Sequence, residues 1–197
     1  MHVQTNPPHW NYYLILERDL ERTFRFVEPV DSQLDVYSDE FARIILIAST
    51  EIENAFNGLA KTIVPASSPS NIGEYCSTVT GRFPNFASME MLMPRFSREF
   101  SPWSGWTTTS APDWWSMGYN KIKHNRVEHP NAPTMRRAID AVGALQVVLL
   151  HYYRAKFEHA ALSGDRESVL IVPNERDSEW QGASTAFTWD LPDDPRA

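Results

Sequence analysis

The sequence predicts a mostly α fold: a bundle of four to five helices, with an irregular aromatic-rich insert and a short C-terminal β-hairpin. Three observations predict it. Apolar residues recur at the helical period in several stretches. Prolines and capping residues punctuate those stretches. Six of the fourteen prolines fall between positions 62 and 114, with Trp103, Trp106, Trp114 and Trp115 gathered at the end of that span. A chain of 197 residues can bury about 70 % of its unfolded surface, so neither disulfide nor metal is needed to hold it. Residues 1–162 read as one helical domain with the insert at 62–112, and 163–197 as an acidic C-terminal extension.

The spacing predicts a first helix over about Asn11–Val27. Pro7 and Pro8 precede it, Asn11 is placed to cap it, and Pro29 stops it. Tyr13, Leu16, Leu20, Phe24 and Val27 share its apolar face, while Glu17 and its charged neighbours fill the rest. The second helix starts at a Ser38 cap, with Asp39 and Glu40 suited to the positive end of its dipole. Its stripe is Phe41, Ile44, Ile45, Ala48, Ile52, Ala55, Phe56 and Leu59, and Gly58 and Pro65 mark its end. Inside the insert a short helix starts at Ser70 or Asn71, ends near Val79 and carries Cys76 as a small buried apolar side chain. The remainder reads as extended, its tryptophans serving as packing anchors or, alternatively, as base-stacking platforms.

A third helix is expected over Asp113–Asn125 with Asp113 as its cap, and a fourth from Thr134 to about His159. The fourth carries Met135, Ala138, Ile139, Val142, Leu149, Leu150, Tyr153 and Phe157 on one face. Ala141, Val147 and Val148 lie off that face, so the middle is apolar all round, as in a central core helix or an oligomer interface. Gln146 sits at the centre of the face, either fixing register in a dimer or bonding a loop carbonyl. In the extension, residues 168–172 and 185–189 read as two short strands, and the end from Asp193 as frayed.

Charge is unevenly divided. The chain carries −7 in total, which disfavours a general nucleic-acid coat. Residues 163–197 alone contribute −5, whereas residues 119–137 contribute +4 through Lys121, Lys123, Arg126, Arg136 and Arg137 against Glu128. Within that cationic stretch, Trp115, Tyr119 and Ile122 fall on one helical face, and Asp113, Ser116, Asn120 and His124 on the other. An imidazole beside an amide, framed by cations, is the chemistry of proton transfer next to phosphate. It suits metal-free RNA cleavage through the 2′-hydroxyl, and equally simple anion binding. The plainer alternative is a solvated basic helix end favoured by the dipole. Glu51, at the edge of the second helix's stripe, is placed to pair with Lys121 or His124, or to be an ordinary edge carboxylate.

The segment Trp114–Arg126 resembles the HEPN superfamily, helical and often dimeric proteins, many of them metal-independent ribonucleases of toxin–antitoxin and phage-defence systems. Asn120 matches the family's polar position and His124 its histidine, while Tyr119 stands where the family has an arginine. The resemblance implies a catalytic His124 oriented by Asn120. It also implies phosphate held by Lys121, Lys123 and Arg126; Tyr119, and Glu51 from its place on the second helix, are expected in support. RNA, a second copy of the chain and an antitoxin-type protein are the partners it implies. A non-catalytic dimeric scaffold or partner-binding helical module is the alternative. No cofactor and no metal is expected: one cysteine excludes cysteine-cluster zinc sites, and His2, His9, His129, His151 and His159 show no ligand spacing. No glycine-rich phosphate loop is present. The first residues lack a signal peptide's pattern, and no apolar stretch reaches bilayer length, so a cytoplasmic protein without membrane contact is expected.

Overall fold

The computed structural model describes residues 8–156, 162–163, 170–174, 181–183 and 186–188, without the side chains of 162–163, 181–183 and 186–188. Helix α1 (Pro8–Thr23), α2 (Asp39–Ile63) and α5 (Met135–Lys156) pack on one another, α2 against α5 most extensively. The apolar stripe of α2 is buried throughout, at 3 % exposure or less. Ser38 caps this helix as expected, accepting the Phe41 amide at 3.1 Å. The helix runs past Gly58 to Ile63. In α5 every residue from Ala141 to Leu150 is buried, as its all-round apolar middle requires. Gln146 is buried there, and its amide donates to the Ile171 carbonyl at 3.0 Å, the loop-carbonyl alternative of the sequence reading.

Two details of α1 differ from expectation. The helix begins at Pro8, ahead of the expected Asn11 cap; proline is well suited to a first turn, where its missing N–H is not needed. Glu17, expected among the solvated charges, is only 2 % exposed. Its carboxylate accepts the Tyr13 hydroxyl at 3.0 Å and the backbone amides of Leu170 and Ile171 at 3.1 and 3.0 Å. These hydrogen bonds offset the cost of burying a charge, and the two amide donors lie more than 150 positions away, out of reach of a helical wheel.

The insert is ordered. Helix α3 (Ile72–Arg82) begins at Asn71, whose side chain accepts the Gly73 and Glu74 amides, each at 3.0 Å. Cys76 is buried on it, as expected. The stretch expected to be merely extended forms a hairpin, β1 (Met91–Met93) with β2 (Arg98–Phe100), around a 3₁₀ turn in which Ser97 is left-handed at φ 49°. β4 (Val172–Pro173) pairs with the other edge of β1, giving the antiparallel order β2-β1-β4. Leu92 lies opposite Glu99 on one side and Val172 on the other. The two expected tail strands therefore do not pair with each other. The first joins the insert sheet, while β6 (Ala186–Thr188) lies between β3 (Leu162–Ser163) and β5 (Gln181–Ala183). The expectations for Phe157, His159 and the end from Asp193 fall outside the described residues.

Tryptophans bind the insert to the bundle. Trp103 and Trp114 are 0 % and 1 % exposed. Their indole N–H groups donate to the carbonyls of Ala144 and Pro102, at 3.1 and 2.6 Å, and Trp106 donates to Ile72 at 3.2 Å. Phe56 of α2 stacks on Tyr75 and Trp106 and meets Trp103 edge-on. A buried aromatic whose polar handle is satisfied is an anchor, so these rings are not offered to a base. Gly143 admits the insert to α5, since a Cβ there would lie 2.6 Å from the Phe100 ring. His151 is buried against Phe83 and Phe86, and its Nδ1 donates to the Val147 carbonyl at 2.8 Å. Burial drives its pKa down to about 4. Asp140, half-buried among Arg98, Arg136, Arg137 and Asp113, is pushed the other way by burial, up to about 7.

Candidate functional site

The expected third helix is two structures in series. Trp114–Tyr119 is a π-helix, and it runs directly into α4 (Asn120–Asn125). The Asn120 amide reaches back five residues to the Trp115 carbonyl. Asp113 does not cap the segment; its carboxylate takes Arg137 Nε at 2.7 Å. That arginine lies across Gly118, where a Cβ would stand 3.2 Å from its Cδ. The π turn also breaks the polar stripe expected from Asp113 to His124. A wheel drawn at one angular step assumes an α period, and i→i+5 bonding widens the turn. Ser116 turns its hydroxyl to the Pro112 carbonyl at 3.1 Å. Asn120 and His124, both inside α4, keep the i, i+4 relation that makes side chains neighbours.

The apolar side follows expectation, with Trp115, Tyr119 and Ile122 buried at 6 %, 4 % and 4 % exposure. Tyr119, at the position where the resembled family has arginine, is a positioning residue for a neighbouring cation. Lys123 donates to its hydroxyl at 3.0 Å and stands 4.9 Å over its ring. The hydroxyl in turn donates to Glu53 at 3.4 Å. The hydrogen bond that Lys123 donates to the Tyr119 hydroxyl, with the nearby Glu53 charge adding to it, raises the Lys123 ammonium above the ordinary lysine range. Arg126 is paired with Asp39 at 2.7 Å across an exposed surface, a contact of small energetic value.

Among the described residues, no hydrogen bond or ion pair engages the side chains of Asn120, Lys121 or His124. His124 is exposed, while Asn120 and Lys121 are half-buried. The pairing expected for Glu51 is replaced: its carboxylate meets His9 Nδ1 of α1 at 2.5 Å. Glu53 is the acid that faces the site, and the sequence reading missed it. The two glutamates differ by two positions and so point about 200° apart on α2. Which one faces α1 and which faces the π-helix depends on how the bundle closes. The only signal available was that both acids flank the stripe.

The site lies at a helix end. Amide, imidazole and amines stand near one another, two cations are already positioned, and the imidazole faces water. It can bind an anion and exchange a proton. Among the described residues, no group of three or more metal-ligating side chains comes together, and no helix is long and apolar enough to cross a membrane. No protein-family model, curated protein or solved structure matches the chain significantly.

Proposed function

We propose that the chain is an HEPN-like helical protein that binds or acts on RNA through the end of α4, phosphate recognition serving the first and His124 the second. The reading rests on one observation. His124 is solvent-exposed and unengaged among the described residues, one helical turn from the equally unengaged Asn120, directly after a π-helical stretch of a kind frequent at functional sites. In the catalytic form, His124 takes the proton of a ribose 2′-hydroxyl as its oxygen attacks phosphorus. The bond to the 5′-oxygen breaks and that oxygen receives the proton, leaving a cyclic phosphate. Asn120 orients the imidazole or holds a ribose hydroxyl. Lys121, with Lys123 held by Tyr119, faces the phosphate charge, and Arg126 joins them by exchanging its exposed Asp39 contact.

The test is labelled single-stranded RNA at low salt. Wild type shifts or cleaves it, and His124→Ala abolishes cleavage. Lys121→Ala weakens binding and flattens its salt dependence by about one phosphate contact. RNA left intact and unshifted at micromolar protein ends the proposal. A second reading, a dimeric scaffold or a module for an antitoxin-type protein, has its own support. Val127 and Tyr37 are 88 % and 56 % exposed on segments tied by the Arg126–Asp39 pair and by the Ser38 amide on the Pro133 carbonyl. A Val127→Glu change that alters mass in solution while RNA remains untouched favours it.

A further inference from the structure

Two polar side chains of α2 stand beside the Lys123 cation and are only partly used. Glu53 and Asn57 are one helical turn apart, and so are neighbours on the helix surface. Each is held from a different side. Tyr119 of the π-helix donates its hydroxyl to Glu53 Oε1 at 3.4 Å, and Tyr75 of α3 donates its own to Asn57 Oδ1 at 2.7 Å. Burial, and after it the charges of Glu53 and Glu74, hold the Tyr75 hydroxyl above the ordinary tyrosine range, which places Glu53 near Tyr75 as well. Tyr75 and Tyr119 are buried, at 6 % and 4 % exposure, whereas Glu53 is half-buried and Asn57 exposed. The two rings are props, and the groups they steady meet solvent. Among the described residues no other hydrogen bond or ion pair engages Glu53 or Asn57. A carboxylate offers about four lone pairs and an amide nitrogen two donors. Two acceptor oxygens therefore stand next to a donor, with Asn57 Nδ2 and Glu53 Oε2 both open.

We propose that Glu53 and Asn57 read an unpaired guanine of the RNA bound at the end of α4, a specificity that rests on the RNA reading above. Guanine is the one RNA base whose Watson–Crick edge presents two adjacent donors, N2–H and N1–H, followed by an acceptor, O6. The carboxylate accepts the two donors, and the Asn57 amide donates to O6. Hydrogen bonds to an ionised acceptor are the stronger kind. Adenine and cytosine each turn a ring-nitrogen acceptor toward the carboxylate, and uracil flanks its single N–H with two carbonyls, so all three are rejected by unmatched lone pairs. Such an edge is free to be read only in single-stranded RNA, where bases splay out of the stack. Lys123 completes the arrangement. Its ammonium lies 3.0 Å from the same Tyr119 hydroxyl that holds Glu53, so phosphate and base are met from one hydrogen-bonded chain.

The experiment measures fluorescence anisotropy of short labelled oligouridines that carry one central guanosine, inosine or adenosine, with the full chain at low salt. Wild type should bind the guanosine RNA about tenfold tighter than the adenosine RNA, within the range of one bidentate base contact. Inosine, which lacks the N2 amine, should fall between them. Glu53→Gln should make guanosine and adenosine equal while strengthening binding to both, because a negative charge leaves the site. A merely structural glutamate would weaken both instead. Asn57→Ala should narrow the preference without that gain. The inosine comparison alters only the RNA, so it decides the matter even where a variant fails to fold. Equal binding of the three RNAs by wild type overturns the guanine site and leaves RNA binding at α4 standing. A guanosine preference that survives Glu53→Gln does the same. No binding to any of the three overturns the RNA reading, and the guanine site with it.

Discussion

Trp114 and His124 stand ten positions apart on one continuous helical stretch, yet they belong to surfaces of opposite kind. Around Trp114 every indole N–H just described ends on a carbonyl, and the rings of Phe56, Trp103 and Trp106 fill the space between α2 and the insert. Around His124 the side chains face water, and two of the three cations rest on single contacts, with Tyr119 and Asp39. The first region commits its polar groups to the fold. The second leaves Asn120, Lys121 and His124 uncommitted among the described residues, as the proposed anion site requires. The difference teaches where stability and chemistry are stored. Changes at the aromatic anchors should act on folding, and changes on α4 should act on binding.

The largest effect is expected at Trp103. Trp103→Ala removes a fully buried ring that touches Phe56, Phe86, Trp106 and Trp114, and should cost about 3–5 kcal/mol of unfolding free energy. Urea denaturation measures it, and a loss under about 1 kcal/mol would mean that the insert does not depend on its anchor. A smaller effect with a definite sign is expected at His151. Its native pKa lies near 4, below the ordinary 6.5. Above pH 6.5 it is neutral folded or unfolded and contributes no pH dependence. As pH falls below 6.5 the unfolded chain takes up the proton first, so stability declines until the native pKa is reached. Asp140, with its native pKa raised to about 7, acts oppositely: its contribution is present below about pH 4 and is lost as pH rises toward 7. Comparing wild type with His151→Phe isolates the histidine. Between pH 7 and pH 4.5 the wild type should lose about 2 kcal/mol more than the variant, and parallel curves would refute the assignment.

The same contrast explains what was legible in the sequence. The cores of α2 and α5 were readable because their burial repeats at the helical period and their caps are local. The tryptophan anchors were readable as packing groups because an insert poor in regular structure needs apolar mass to hold it. The β1 strand was not, since Met91-Leu-Met93 is apolar at every position and offers no alternation. One of its partners, Val172, lies eighty positions downstream of Leu92. Glu17 looked solvated because its amide partners are distant in sequence. At the candidate site, the pairing of Asn120 with His124 was legible because α4 is a true α-helix. Glu53 was not, and neither was the turning of Asp113 away to Arg137, because bundle closure and the π-helical phase decide them.

The smallest expected effect on stability carries the most information about function. His124→Ala should change unfolding free energy at pH 7.5 by less than about 0.5 kcal/mol, as for an exposed side chain without partners. A helix-end role makes a different demand. Favourable interaction with the helix dipole would make its removal cost about 0.3–1 kcal/mol instead. Urea denaturation of the variant, read beside RNA binding and cleavage, separates the two roles. A stability loss with RNA untouched makes His124 a helix terminus. Lost RNA cleavage with unchanged stability makes it the proton-transfer group. Tyr119→Phe then sharpens the result: it frees Lys123 from its hydroxyl while keeping the ring beneath it, so it should weaken RNA binding by less than Lys123→Ala does.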